Sequence, residues 1–233
     1  MKRFYRNAAA TPRDAGFGIA LDGKPLRTPA KAALIVPGRA LADAIAAEWN
    51  AQGPDIAVNA MPLTRLASTA ADLVAARRDA IIDEIAAYAG TDLVCYRATH
   101  PPELVKRQQI VWQPLLNWLT EYFDAPLHLA TGVTPVAQPA ESLAAVRAAV
   151  AAHDTMMLTA LRLATAAGGS VAIGLALIAG RLDADAAFAA AELDENFQIE
   201  QWGEDPEQTK RRAGLKDDLN LAERFADLLR QTD

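Results

Sequence analysis

The side chains most able to do chemistry are carboxylates gathered near the C-terminal end. The run Leu193-Asp194-Glu195-Asn196-Phe197-Gln198-Ile199-Glu200-Gln201-Trp202-Gly203-Glu204-Asp205 holds five acids. Two neighbouring carboxylates can share acid–base work or bind a hard cation through oxygen. No Glu-x-x-His accompanies them, and Pro206 interrupts the chain immediately after Asp205. Helical spacing puts Glu195, Ile199 and Trp202 on one face and Leu193 with Phe197 on another. Glu195 therefore borders an apolar stripe that ends in a tryptophan. An acid in that position either pairs with an arginine inside the fold or faces a partner, and spacing leaves both readings open.

Cys95 is the other candidate, because a lone cysteine with a histidine elsewhere can act as a nucleophile. It lies in Leu93-Val94-Cys95-Tyr96, where a small buried residue fits equally well. A small cytoplasmic enzyme using Cys95 or the Asp194/Glu195 carboxylates is thus the rival to a binding protein. His100, His128 and His153 stand at no metal-ligand spacing from one another. Gly168-Gly169-Ser170 precedes a helical stretch, but no lysine comes after it to hold a phosphate, so an inter-helix turn capped by Ser170 accounts for it. Walker A, G-x-G-x-x-G, H-E-x-x-H and G-x-S-x-G sequences are all missing. These patterns imply neither a cofactor nor a metal.

The elements that would position these groups change character along the chain. Phe17, Ile19 and Leu21 alternate, Asp22-Gly23 is a hairpin turn signal, and Leu26 with Thr28 begins a return strand that Pro29 ends. Leu34-Ile35-Val36 and Ile56-Ala57-Val58 read as further short strands. Between them Leu41, Ile45 and Trp49 mark a helix over 39–52, closed by Gly53-Pro54. From Thr64, read as an N-cap, one amphipathic stripe runs to Tyr88. Asp92 to Arg97 reads as a short strand. A helix opens after His100-Pro101-Pro102, and Pro114 should kink it or begin a new one. Helices are expected at 140–152, 153–167, 170–180, 184–202 and 216–231, with Asp183 as an N-cap. The expected class is α+β: a small β-rich N-terminal domain with one helix over 1–62, then a larger all-helical domain over 63–233.

The chain has 233 residues and a formal net charge of −6, which removes any general attraction to nucleic acid or anionic lipid. Arg77-Arg78 and Lys210-Arg211-Arg212 sit beside carboxylates and read as solvated helix faces. A single cysteine fits a reducing compartment. The weakly apolar stretch from Leu158 to Gly180 contains Arg162 and reads as two core helices, so no membrane insertion is expected. With four tryptophans, apolar helix faces and no reactive constellation, an interaction protein is the natural class.

Motifs spread over nearly the whole length carry a resemblance. They are Arg3-Phe4-Tyr5, the run Leu21 to Pro29, Glu48-Trp49 with Gln52, and Met61 to Leu66. Further along come Thr91-Asp92-Leu93, Cys95-Tyr96-Arg97, Trp112 with Pro114-Leu115, and Leu193-Asp194-Glu195 with Gln198, Trp202, Gly203 and Glu204. In their order and spacing the chain resembles the assembly chaperones for the alpha subunit of the F-type ATP synthase, found in mitochondria and alphaproteobacteria. The resemblance implies a two-part fold and an ATP-independent monomer that binds newly made alpha subunit, prevents its aggregation and promotes its assembly with beta. It places partner contacts at Trp49 and along Asp194, Glu195, Gln198, Trp202 and Glu204. The critical acid stays open among Asp194, Glu195 and Glu204, and Trp49 is read either as core or as contact. With no organellar extension before Arg3, a bacterial cytoplasm is expected, or a mitochondrial matrix if the protein is organellar.

Overall fold

Asp22 and Gly23 both adopt positive φ, 47° and 81°, the requirement of a tight hairpin turn whose twist matches its strands. They join β2 (Gly16–Leu21) to β3 (Lys24–Pro25), with Leu21 opposite Lys24. In the computed structural model, which describes residues 1–132, 134–203 and 205–231, β2 is the centre of an antiparallel sheet. β1 (Ala8–Arg13) pairs along its whole length, and β4 (Ile35–Val36) pairs with it as well as β3. β1 gave no signal in Ala-Ala-Ala-Thr-Pro-Arg. Among the described residues it pairs only with β2, and an edge position tolerates Pro12 because no neighbour needs its missing N–H. Helix α1 (Arg39–Asn50) packs on β1 and β2 through buried Leu41, Ile45 and Trp49. Gly16, at φ 130°, has no room for a side chain, since a Cβ there would lie 2.3 Å from the carbonyl of Val36.

The expected strand at 56–58 does not form. Among the described residues its partners from a distant part of the chain are the first residues, through a bridge between Lys2 and Asp55 and the Ile56 N–H bonded to the carbonyl of Met1. Beyond them Val58–Ala60 closes a 3₁₀ turn. The long helix expected from Thr64 to Tyr88 is also broken. Helix α2 (Pro62–Thr69) runs into a π turn at Ala70–Val74, α3 covers Arg78–Ala86, and a 3₁₀ turn covers Ala87–Thr91. The π turn accommodates an extra residue and shifts the register of the apolar stripe. Thr64 is not the cap of α2. Glu48 caps it from α1, accepting the N–H groups of Leu63 at 2.7 Å and Thr64 at 2.8 Å and the Thr64 hydroxyl at 2.7 Å.

Of the strand expected at 92–97 only β5 (Tyr96–Arg97) exists, parallel to β6 (Ala130–Thr131). Leu93–Cys95 is a 3₁₀ turn started by the Asp92 carboxylate. Helix α4 (Pro102–Phe123) stays one helix through Pro114. After it come α5 (Ala140–Ala151), α6 (Thr155–Gly168), and α7 (Val171–Ile178), which is buried throughout. Ser170 caps α7 through the Ile173 N–H, as its spacing predicts. The expected helix 184–202 is two, α8 (Ala184–Ala191), capped by Asp183, and α9 (Leu193–Trp202), divided at Glu192. Helix α10 (Pro206–Arg230) begins well before Lys216, with proline in its favoured first position. The class is α+β, a small β region followed by a mostly helical remainder.

The described residues pack as two units. One holds Met1–Arg78, Asp154–Ala160 and the residues from Arg224 onward; the other holds Asp79–His153 and Leu161–Glu223. Helix α2 and the π turn, which come after Met61, belong to the first.

Asp92 is fully buried in the second unit, and among the described residues no cation is bonded to it. Its carboxylate accepts the N–H groups of Val94 and Ala172, each at 3.2 Å, which ties the 3₁₀ turn to the N-terminus of α7. Burial outweighs these bonds and the Ser170 hydroxyl, and raises its pKa to about 6. A carboxyl whose pKa is higher folded than unfolded holds its proton in the folded state first, so this contribution favours folding below the unfolded value and is lost as pH rises through about 6. Between pH 7 and 5 wild type should gain about 1 kcal/mol relative to Asp92→Asn. Urea unfolding of both proteins at the two pH values measures it, and parallel pH dependence would exclude Asp92 as the source.

Candidate functional site

The acidic segment is helix α9, and α4 is the element that positions it. Leu193 and Phe197 are buried, as their shared face predicts. Asp194 does not project freely: its Oδ1 accepts a hydrogen bond of 2.8 Å from Gln108 Nε2. Gln108 is itself buried on α4, and its Oε1 accepts the Ala98 N–H at 2.8 Å. One amide thus links α9 to the chain just after β5. Nearby, Trp112 Nε1 donates to the carbonyl of Ala190 at 2.8 Å, so a second α4 side chain fixes the end of α8.

The division between α8 and α9 has an electrostatic anchor. Glu192 is buried and takes backbone angles of −103° and 24°, outside the helical range. Its carboxylate lies 2.9 Å from Arg211 Nη2 and 3.0 Å from Arg212 Nη1. Arg212 also donates to Asn196 Oδ1 at 2.6 Å and stacks over Phe188 at 5.2 Å. Lys210-Arg211-Arg212 is therefore not simply a solvated face, since two of its members hold the α8–α9 corner to α10. Sequence reasoning missed both Glu192 and Gln108. For Glu192 the available signal was an acid set between helix formers upstream of an arginine pair; for Gln108 there was none.

What α9 and α4 present outward is apolar, with a charged border. Trp202, the last residue of α9, is 79% exposed, and Ile110 on α4 is 63% exposed beside Val111. Arg107 lies over the Phe197 ring at 5.2 Å and pairs with Glu200 at 2.7 Å. The hydrogen bond between them holds the Glu200 carboxyl below its usual range and raises the Arg107 guanidinium. Arg107 borders two shallow clefts, one of about 250 Å³ reaching Ile110 and Leu193 and one of about 460 Å³ reaching Phe197 and Trp202. Glu195 is half-buried, its carboxylate makes no hydrogen bond or ion pair with the described residues, and Gln198 is exposed. Glu204 lies outside the described residues.

Trp49 sits elsewhere, in the first unit. It is buried, its carbonyl accepts the Tyr5 hydroxyl at 2.7 Å, and its ring lies 5.5 Å from that of Tyr5. Cys95 has no exposed surface, and burial together with the Asp92 charge pushes its thiol up to about 12. A thiolate is the nucleophilic form of cysteine, so this environment opposes catalysis at Cys95. Among the described residues no three His, Cys, Asp or Glu side chains converge as a metal site requires, and no helix is long and apolar enough to cross a membrane.

A surface of this kind, an aromatic anchor on a helix pair with a charged rim, suits protein contact better than turnover. Known proteins resemble the chain throughout. A family model described as ATP12 chaperone protein matches residues 2–120. A crystal structure of Atp12 from Paracoccus denitrificans superposes with a TM-score of 0.95 at 42% identity, covering 98% of both chains, and a mutant of that protein gives the same values. The protein named atp12, mitochondrial, of Schizosaccharomyces pombe is 22% identical over 214 residues, 87% of this chain and 74% of its own length.

Proposed function

The chain belongs to the ATP12 chaperone family, and from that premise we propose that it holds the alpha subunit of the F-type ATP synthase until that subunit meets beta, using the outer face of α4 and α9. The observation that carries this reading is the exposed Trp202, flanked by the apolar clefts that Arg107 borders. Subunit surfaces destined for an interface are apolar and aggregate when left bare. A temporary cover must match that apolar area and still let go. Rim charges such as Arg107, Glu200 and Glu195 govern encounter and partner choice more than affinity, which suits a contact that has to be exchanged for another.

Within this reading the residues divide by task. Trp202 and Gln198 face the client, Glu195 supplies unpaired negative charge at the edge, and Asp194 orients α9 through Gln108. Nucleic acid and lipid have no part, given the net charge of −6.

Reversing Glu195 tests the surface. Its side chain has no partner among the described residues, so Glu195→Lys changes the charge presented without removing a fold contact. Affinity for alpha, read by co-purification and by titration of the purified proteins, should fall roughly tenfold with an unchanged melting temperature. Capture of alpha as efficient as wild type would remove the acidic edge from the contact. Capture of beta in place of alpha would overturn the choice of client.

A further inference from the structure

We propose that a cleft beside Trp49 in the first unit is a second client-binding site, one that takes an extended apolar segment of polypeptide bearing a carboxylate. The proposal rests on the chaperone reading and adds the chemistry of what is bound.

The cleft holds about 600 Å³, and residues of the first unit alone line it. Trp49 comes from α1, Ile56 and Val58 from the segment between α1 and α2, and Leu73 from the π turn. The volume fits a few side chains. Val58 is exposed at its edge although it is a large apolar residue.

Polar groups of the wall decide what fits. Trp49 Nε1 is buried with no acceptor. An indole N–H can only donate, and a buried donor left unpaired is costly, so an arriving acceptor is favoured. Arg65 is exposed and its guanidinium has no partner among the described residues. Among the described residues the Arg27 guanidinium reaches only the carbonyl of Lys31, at 2.8 Å. Asp72 is the one carboxylate among the lining residues, and its Oδ2 already accepts the Ala30 N–H at 2.9 Å. The Trp49 indole N–H and the Arg65 guanidinium are therefore an unpaired donor and an unpaired cation, among the described residues, set around apolar walls. Their complement brings acceptors, negative charge and greasy surface together. A polypeptide in extended conformation does so, with an apolar side chain in the cleft, a main-chain carbonyl toward the indole and an Asp or Glu against Arg65.

The test uses the whole protein and a fluorescein-labelled nonapeptide with a central Leu-Phe flanked by glutamates. One twin peptide carries lysine for each glutamate, and another carries serine for Leu-Phe. Fluorescence anisotropy should show binding of the first peptide and roughly tenfold weaker binding of either twin. Arg65→Glu should weaken the first peptide by roughly tenfold and Trp49→Phe by about threefold, while Arg13→Glu, exposed and outside the cleft, changes nothing. The Trp49 indole N–H resonance, assigned by its loss in Trp49→Phe, should move downfield as peptide is added. Equal binding of all three peptides, or wild-type binding by an Arg65→Glu protein with a native circular dichroism spectrum, overturns the proposal. Alpha-subunit capture measured in parallel separates the two readings. Arg65-dependent peptide binding without alpha capture keeps the cleft and removes the client; alpha capture without peptide binding does the reverse.

Discussion

Glu192→Ala should lower the unfolding free energy by about 3–5 kcal/mol, the cost of breaking a buried ion pair from one side. In a chain of this size that moves the melting temperature down by roughly 10 °C. The carboxylate is almost wholly out of water, yet it meets two guanidiniums within 3.0 Å. Removing it does not affect both arginines equally. Arg211 is about half exposed and can rehydrate, whereas the Arg212 side chain keeps 12% of its surface and must stay enclosed beside Asn196 and Phe188. Losing the Glu192 bond to this enclosed guanidinium is the dominant cost, larger than the pair's own net worth. Asp43→Ala is the internal comparison. It opens the Arg39–Asp43 pair, where both partners are well exposed, and should shift stability by less than about 0.5 kcal/mol. Thermal and urea unfolding of the two variants would measure the contrast, and equal, small losses would mean that Glu192 is not the anchor of the α8–α9 corner.

Trp202→Asp should weaken alpha-subunit binding by roughly 30-fold or more, about 2 kcal/mol, at unchanged melting temperature. The two halves of that statement depend on each other. A side chain with most of its surface in solvent contributes little to folding, so its loss leaves the helices intact. The same side chain is the largest exposed apolar group on α9, and tryptophans at the centre of an interface account for a disproportionate share of its affinity. Aspartate also places a charge where the proposed contact would bury surface. Isothermal titration against purified alpha, beside a melting curve, distinguishes the cases. Undiminished binding would move the contact off α9; a fallen melting temperature would mean that Trp202 supports the fold.

Sequence spacing found the elements whose signals are local. Asp22-Gly23 specifies its hairpin because two successive positive φ angles suit few residue pairs, and Ser170 and Asp183 cap helices with their own side chains. It failed wherever a distant residue decides. Thr64 looks like a cap, but Glu48 performs that task from another helix. Ile56-Ala57-Val58 has strand composition and no strand beside it. Alanine-rich residues 184–202 read as one helix because nothing local shows that Glu192 will leave helical geometry to reach Arg211 and Arg212. The apolar stripe from Leu66 to Tyr88 keeps its period in sequence while a π turn shifts its phase in space. At the candidate site, the facing pairs along α9 came from helical geometry, and Leu193 and Phe197 are buried as that geometry requires. That Asp194 is bonded to Gln108 while Glu195 is unpartnered among the described residues depends on α4, 86 residues away in sequence, so spacing alone left the two acids equivalent.

The four indoles divide unevenly. Trp49, Trp112 and Trp118 are enclosed, and Trp202 alone stands in water. The protein thus carries an intrinsic optical reporter at the tip of α9. Acrylamide should quench the red-shifted part of its emission and leave the blue-shifted part nearly untouched. Loss of that quenchable fraction when another chain arrives would time the encounter, in stopped flow, on unlabelled molecules.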